Sequence, residues 1–242
     1  MKSPEEILSG LFFCDPSSHY FAECLQVTKP LEAKVLGVYS QRLDACDMKI
    51  RFAAKSFLEN EKIIQQLQHG EFIYFDDESR LSMNFYTESF VVFLRAALDL
   101  SISAYHAYFN EKTSIDSFND FIKQVIKIQE KEDQSTWIPA NSLSFWSNLF
   151  QDYALEEGYM WLHALVGKSK GMSLRDLVIH KQNVYIDTWI DDNDRGRFVI
   201  GLTKDSMGYV MPWLEHIFES SQKVIGKVKE DILASEEKFK KQ

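Results

Sequence analysis

The chain is poor in several things, and each scarcity excludes something. Glycine and proline number only 10 and 5 in 242 residues, too few for a protein built on tight β-turns. Three cysteines, Cys14, Cys24 and Cys46, form no Cys-x-x-Cys and no metal-ligand spacing. An odd count with no secretion signal predicts a reducing, cytoplasmic location. Positive charge is not in excess. The formal net charge is −9, so bulk attraction to nucleic acid or to an anionic membrane is not expected. Long apolar runs are missing too. Phe90 to Leu94 is the longest and ends at Arg95, whereas a spanning helix needs about 20 apolar residues. Met1-Lys2-Ser3-Pro4-Glu5-Glu6 places acids where a signal peptide carries bases.

Several catalytic signatures are also absent. There is no Gly-x-Gly-x-x-Gly, P-loop, Gly-x-Ser-x-Gly or His-Glu-x-x-His. No Glu-x-x-His occurs, which disfavours a di-metal carboxylate bundle. Asp191-Asp192-Asn193-Asp194 lacks the alternating acids and late glutamate of a calcium loop, and reads as a solvated turn. No metal or other cofactor is expected.

What is present is a globular, mainly helical pattern: 45% of residues are apolar and 26% charged. A single domain spanning 1–242 is the simplest reading, with 1–29 as a helical extension and 30–240 as a bundle. Ser3-Pro4-Glu5-Glu6 reads as a cap, a first-turn proline and first-turn acids. From Leu31 to His69 apolar residues recur every three or four positions, predicting one long helix, bent or broken somewhere, with Gly70 as its stop. Asp76 to Ser79 reads as a turn, followed by a helix from about Ser82 to Phe109. Ser114 is predicted to cap a helix bearing Phe118 and Phe121. Asn141 is predicted to cap one that runs through Phe145, Leu149, Tyr153, Trp161 and Leu165. A short helix is expected over Ser173–Gln182. Val184–Ile190 and Arg197–Ile200 are β-prone and predict a hairpin over about 184–200. A last helix is expected over Asp205–Lys240, its charged end, Glu230–Gln242, fraying.

Charge is unevenly distributed. Between Trp161 and Gln182 stand Lys168, Lys170, Arg175 and Lys181 against one acid, Asp176. This local excess of three positive charges favours an anion. Ser173-x-x-Asp176 resembles a capping box at the start of the short helix. On that helix Leu174, Leu177 and Val178 share one face, which should pack inward. Asp176 and His180, four apart, can touch, so the carboxylate can fix the imidazole tautomer. Arg175 and His180, five apart, lie about 140° from each other around the axis. Ile179 between them puts an apolar group on the face opposite the core. Either a second molecule or another helix of the same chain covers it.

Arg175-Asp176-Leu177-Val178-Ile179-His180 resembles the Arg-x4-His motif of HEPN domains (higher eukaryotes and prokaryotes nucleotide-binding). Asp176 stands where that family commonly has a polar residue after the arginine. Phe93-Leu94-Arg95-Ala96-Ala97-Leu98-Asp99 is similar to a stretch on an earlier long helix of many bacterial HEPN-like proteins. One departure is Gln182, where nuclease members often carry tyrosine.

The resemblance implies an all-α, HEPN-like bundle of long antiparallel helices with one small hairpin. It also implies a metal-independent endoribonuclease, or an inactive RNA- or nucleotide-binding relative. Arg175, Asp176 and His180 would be catalytic, with Lys168, Lys170 and Lys181 on the substrate. The Met172–His180 helix would meet its copy across a two-fold in a homodimer. Arg95, Asp99 and His106 form a polar stripe on the long apolar helix. They read either as an internal Arg95–Asp99 pair that fixes helix register or as support for the motif helix. The competing class is a non-catalytic helical scaffold, which the −9 charge and Gln182 favour.

Overall fold

The computed structural model describes residues 1–9, 27–69, 72–73, 75–112, 115, 117–131, 137–154, 160–166, 186–190, 196–203 and 206–241. The described chain is mainly helical with a small antiparallel sheet, as the pattern predicts. Helices are α1 (Pro4–Ser9), α2 (Ala33–Leu67), α3 (Asp77–Asn110), α4 (Phe118–Lys131), α5 (Ala140–Ala154), α6 (Met160–Val166) and α7 (Val210–Lys240). Strands are β1 (Gln68–His69), β2 (Phe72–Ile73), β3 (Ile186–Ile190), β4 (Gly196–Thr203) and β5 (Ser206–Tyr209).

Helix starts follow from caps. Ser3 Oγ accepts the Glu6 N–H at 3.3 Å and Glu6 Oε2 accepts the Ser3 N–H at 2.7 Å, the predicted cap of α1. The helix α2 is one continuous element of 35 residues rather than a broken one, about 52 Å long. Gly37 inside it has open space where a side chain would project.

Elsewhere the boundaries move. The acids of 76–79 are not a turn before α3 but its cap and first turn: Asp76 Oδ1 accepts the Ser79 N–H at 2.7 Å. Asp77 and Glu78 then sit at the positive end of the helix. Ser117, not Ser114, caps α4, its Oγ accepting the Asp120 N–H at 3.2 Å. Pro139 O accepts the Ser142 and Leu143 N–H groups, so α5 starts before Asn141. Of the single helix expected after it, α5 and α6 are described, and residues 155–159 between them lie outside the described residues.

The hairpin is present as β3 and β4, with Ile186 opposite Ile200 and Trp189 opposite Arg197. A third strand, β5, extends it, with Tyr209 opposite Val199. The last helix therefore begins at Val210 rather than Asp205, with Pro212 in its first turn, where a missing N–H costs nothing.

The chain groups into two compact units. Unit 1 comprises residues 1–9, 50–95 and 161–220. Its core joins Phe57, Phe90 and Phe218, with ring centroids 5.9–6.3 Å apart, to the buried Leu162, Leu165, Ile186, Ile200 and Leu214. Facing pairs Phe52–Phe93 and Phe57–Phe90 make α2 and α3 antiparallel here. Phe75 meets Phe198 edge-on at 5.1 Å and seats the sheet.

Unit 2 comprises residues 10–49, 96–160 and 221–242. Trp146 is its centre, 4.9 Å from Phe121, 5.8 Å from Tyr105 and 6.3 Å from Phe150. Cys46 is buried and its Sγ donates to Ala97 O at 3.2 Å. Burial, with Asp47 adding to it, pushes that thiol well above its ordinary pKa. By length and composition α3 is apolar enough to cross a membrane, but 72% of its most apolar window is buried inside the fold.

Replacing Ser117 by alanine leaves an orphan N–H at the start of α4. The expected loss is about 1 kcal/mol of unfolding free energy, read from urea denaturation followed by circular dichroism.

Candidate functional site

The residues predicted to act on a substrate fall outside the described residues. These are Arg175, Asp176 and His180, the lysines Lys168, Lys170 and Lys181, and the whole Met172–His180 helix. The stripe on α3 is described, and its three polar side chains turn to different helix ends.

Arg95, in unit 1, is buried, and its Nη1 donates to Leu165 O at 3.2 Å. That carbonyl lies in the last turn of α6, where backbone acceptors have no partner within the helix. A guanidinium there also suits the negative end of the helix dipole. The basic segment begins directly after α6, so Arg95 holds the point from which it departs.

Asp99, in unit 2, accepts the Phe118 N–H at 2.7 Å through Oδ1. It supplies from α3 an acceptor for the first residue of α4. His106 is buried beside Trp137, ring centroids 4.9 Å apart and edge-on. Its Nδ1 lies 3.1 Å from Lys112 O and its Nε2 2.7 Å from Asn110 Nδ2. A carbonyl only accepts, so Nδ1 carries the proton and Nε2 accepts from the amide. Burial pushes the imidazole below its ordinary 6.5, against a smaller opposing effect of the Lys112 bond. The ring thus braces the end of α3, where Glu111 takes φ 55°. These contacts tie Arg95 and Asp99 to two other helices.

Sequence reasoning missed the densest polar cluster, which lies in unit 2 between α3 and α7. Asp231 on α7 is buried. Its Oδ2 accepts from Tyr105 Oη at 2.8 Å, and its Oδ1 from Ser142 Oγ at 2.6 Å. Lys227 Nζ, one turn earlier, lies 2.9 Å from the same Oδ1. Trp146 Nε1 donates in turn to Tyr105 Oη at 3.4 Å. Five residues along, buried Glu236 accepts from Tyr108 Oη at 2.5 Å, and from the hydroxyl and N–H of Thr28. Lys29 Nζ donates to Tyr108 O at 2.9 Å and pairs with Glu111 at 2.9 Å.

Burial would raise the Glu236 pKa, but the bonds from Thr28 and Tyr108 hold it below its ordinary value. Burial pushes both phenols up, with the neighbouring carboxylates adding to it. The expected fraying of 230–242 is therefore confined to its end, since Asp231, Ile232 and Glu236 are buried. The signal available in the sequence was spacing: Tyr105 and Tyr108 on one helix, Asp231 and Glu236 on another.

Beside Asp231 a cavity of about 380 Å³ is lined by Trp137, Phe109, Asn141, Ser235 and Lys238. The carboxylate at its wall already meets three donors, so it acts as an organiser of side chains and not as a free base. Among the described residues no group of three or more His, Cys, Asp or Glu side chains is placed to hold a metal ion. No protein-family model, curated protein or solved structure matches this chain.

Two outcomes test the cluster. Asp231→Ala takes the acceptor from two hydroxyls and leaves Lys227 to its longer pair with Glu230 at 3.5 Å, and should cost about 3–5 kcal/mol of stability. Tyr105→Phe removes one bond to a charged group and should cost about 1.5–3 kcal/mol. Both are read by urea unfolding. A separate outcome, outside the cluster, concerns His106 and pH. Because the folded His106 pKa lies below 6.5, the unfolded chain takes up that proton first as pH falls. The ring's contribution is complete above about pH 6.5 and is lost as pH falls towards the folded value. Thermal melts between pH 8 and 5 should show a decline that His106→Gln flattens.

Proposed function

We propose that this chain is a HEPN-like, metal-independent endoribonuclease that uses Arg175 and His180 on RNA. The observation that carries the reading is the Arg-x4-His spacing, with Asp176 after the arginine, inside a segment three charges positive in a chain of −9. The fold context supports it. Two long antiparallel helices precede the segment, and a small sheet and a third long helix follow. Arg95 clamps the end of α6, from which the segment departs.

The chemistry needs little. His180 takes the proton of the RNA 2′-hydroxyl as general base, then returns one to the leaving 5′-oxygen. The 2′-oxygen attacks the adjacent phosphorus and the 5′-oxygen departs, leaving a 2′,3′-cyclic phosphate. Arg175 clamps the phosphate and stabilises charge that develops in the transition state. Asp176 orients the imidazole. Lys168, Lys170 and Lys181 draw the strand in. On the helix expected over Ser173–Gln182, Arg175 and His180 would diverge by about 140°, so the site is completed by the same helix of a second copy in a cytoplasmic homodimer.

Incubation of the protein with single-stranded RNA in EDTA tests this directly. Wild type should leave 2′,3′-cyclic phosphate ends and leave DNA intact. His180→Ala should lose 10²–10⁴-fold, the usual contribution of a positioned general base, and Arg175→Lys should also be impaired. Cleavage that survives His180→Ala, or that EDTA abolishes, refutes the mechanism. No cleavage of any RNA favours the non-catalytic scaffold, for which Gln182 in place of tyrosine is the supporting observation.

A further inference from the structure

The sheet of unit 1 has one face that the nuclease reading does not use. Strand alternation puts Ile186, Phe198 and Ile200 on one side, all buried. The other side carries Trp189, Arg197, Val199 and Tyr209. Trp189 is the direct partner of Arg197, and Tyr209 that of Val199, two residues along the same strand. Val199 is buried, yet Trp189 is 59% exposed and Tyr209 47%. Arg197 is therefore flanked in register by Trp189 on β3 and, diagonally, by Tyr209 on β5.

A cavity of about 400 Å³ is lined by Arg197 and Tyr209 of this side, Phe198 of the other, Ile64, Gln68 and the first residues of α7, Val210 to Pro212. The α7 helix is 31 residues long, and its positive end opens on this cavity. A cation, a phenol, a carboxamide and a helix N-terminus converge there. Asp187 lies on the same sheet face, and its Oδ1 accepts the Thr188 N–H at 2.8 Å. Phosphate suits the Arg197 end of the cavity, and a planar base suits the exposed rings.

We propose that this face is a binding platform for single-stranded RNA. Bases stack on Trp189 and Tyr209, and a backbone phosphate sits at Arg197 and the start of α7. The proposal rests on the nuclease reading only in taking RNA as the ligand. A stacking surface requires unpaired bases, so duplex RNA, whose bases are covered, is the built-in control.

The test is fluorescence anisotropy with a labelled ten-nucleotide single strand and a duplex of the same length, in EDTA. His180→Ala serves as the parent protein, so that the RNA stays intact. The single strand should bind more tightly than the duplex. Trp189→Ala and Tyr209→Ala in that background, both at exposed positions, should each weaken it at least about fivefold, the low end for one stacked base. Arg197→Ala should lower the slope of log affinity against log salt by about 0.7, one phosphate contact. Unchanged affinity in both aromatic variants, equal affinity for duplex, or no binding to the single strand overturns the platform. The two readings separate cleanly. Wild-type cleavage with undiminished binding by both Trp189→Ala and Tyr209→Ala keeps the nuclease and removes the platform. Binding lost in Trp189→Ala, with no cleavage by wild type, does the reverse.

Discussion

Two buried carboxylates on α7 set constraints that the rest of unit 2 must meet. A carboxylate removed from water costs several kcal/mol unless donors replace the lost hydration. Asp231 and Glu236 are both buried, and both find phenols on α3. Their spacing of five matches the Tyr105–Tyr108 spacing of three only in one register of the two helices. An apolar seam of Leu, Ile and Phe tolerates a slip of one turn at modest cost. Here such a slip would strand two charges at once. The same oxygens also reach outward. Asp231 fixes the start of α5 through Ser142, and Glu236 fixes the approach to α2 through Thr28.

The polar residues of α3 follow the same logic from the other side. A helix this apolar can bury charge only where a partner is waiting. Arg95, Asp99 and His106 each meet a helix end, where backbone groups lack partners within their own helix. The exchange satisfies both sides: the orphan backbone group gains a bond, and the buried side chain loses its desolvation deficit. The end of α6 and the start of α4 are thereby positioned from α3 by polar contacts, while aromatic contacts such as Trp146 on Tyr105 add apolar packing.

This division explains what could be read from the sequence. Helical periodicity depends on which residues are apolar, so α2, α3 and α4 are legible, and the Ser3 cap is a local pattern. The start of α3 was not, because acids such as Asp76 to Glu78 serve equally as a turn and as a cap with its first turn. Ser206-Met207-Gly208-Tyr209 has no alternation and becomes β5 through its pairing with β4. The charged end of α7 reads as solvated because nothing within it announces Tyr105 and Tyr108, more than a hundred residues away. Of the candidate site, the stripe on α3 was visible as polar residues in an apolar helix. Its partners, Leu165 O, the Phe118 N–H and Lys112 O, are backbone groups with no signature in the side-chain sequence.

The proposed Arg175–His180 pair would have to be held by what flanks it in the chain. Arg175 and His180 lie between two anchors. One is the end of α6, tied by Arg95 to α3; the other is the start of β3, paired through Ile186 to Ile200. Anchors limit where a segment can travel, but on the helix expected there they would not by themselves converge two groups about 140° apart. On the proposed reading convergence would come from a second set of the same groups, an isologous two-fold placing the arginine of one copy beside the histidine of the other. Such a site is dismantled by separating the subunits, with no damage to either fold. Activity would then depend on protein concentration in the range of the dimer dissociation constant, which a site confined to one chain would not do. The apolar Ile179 between the two polar residues fits that arrangement, since a face that meets its own copy excludes water at its centre.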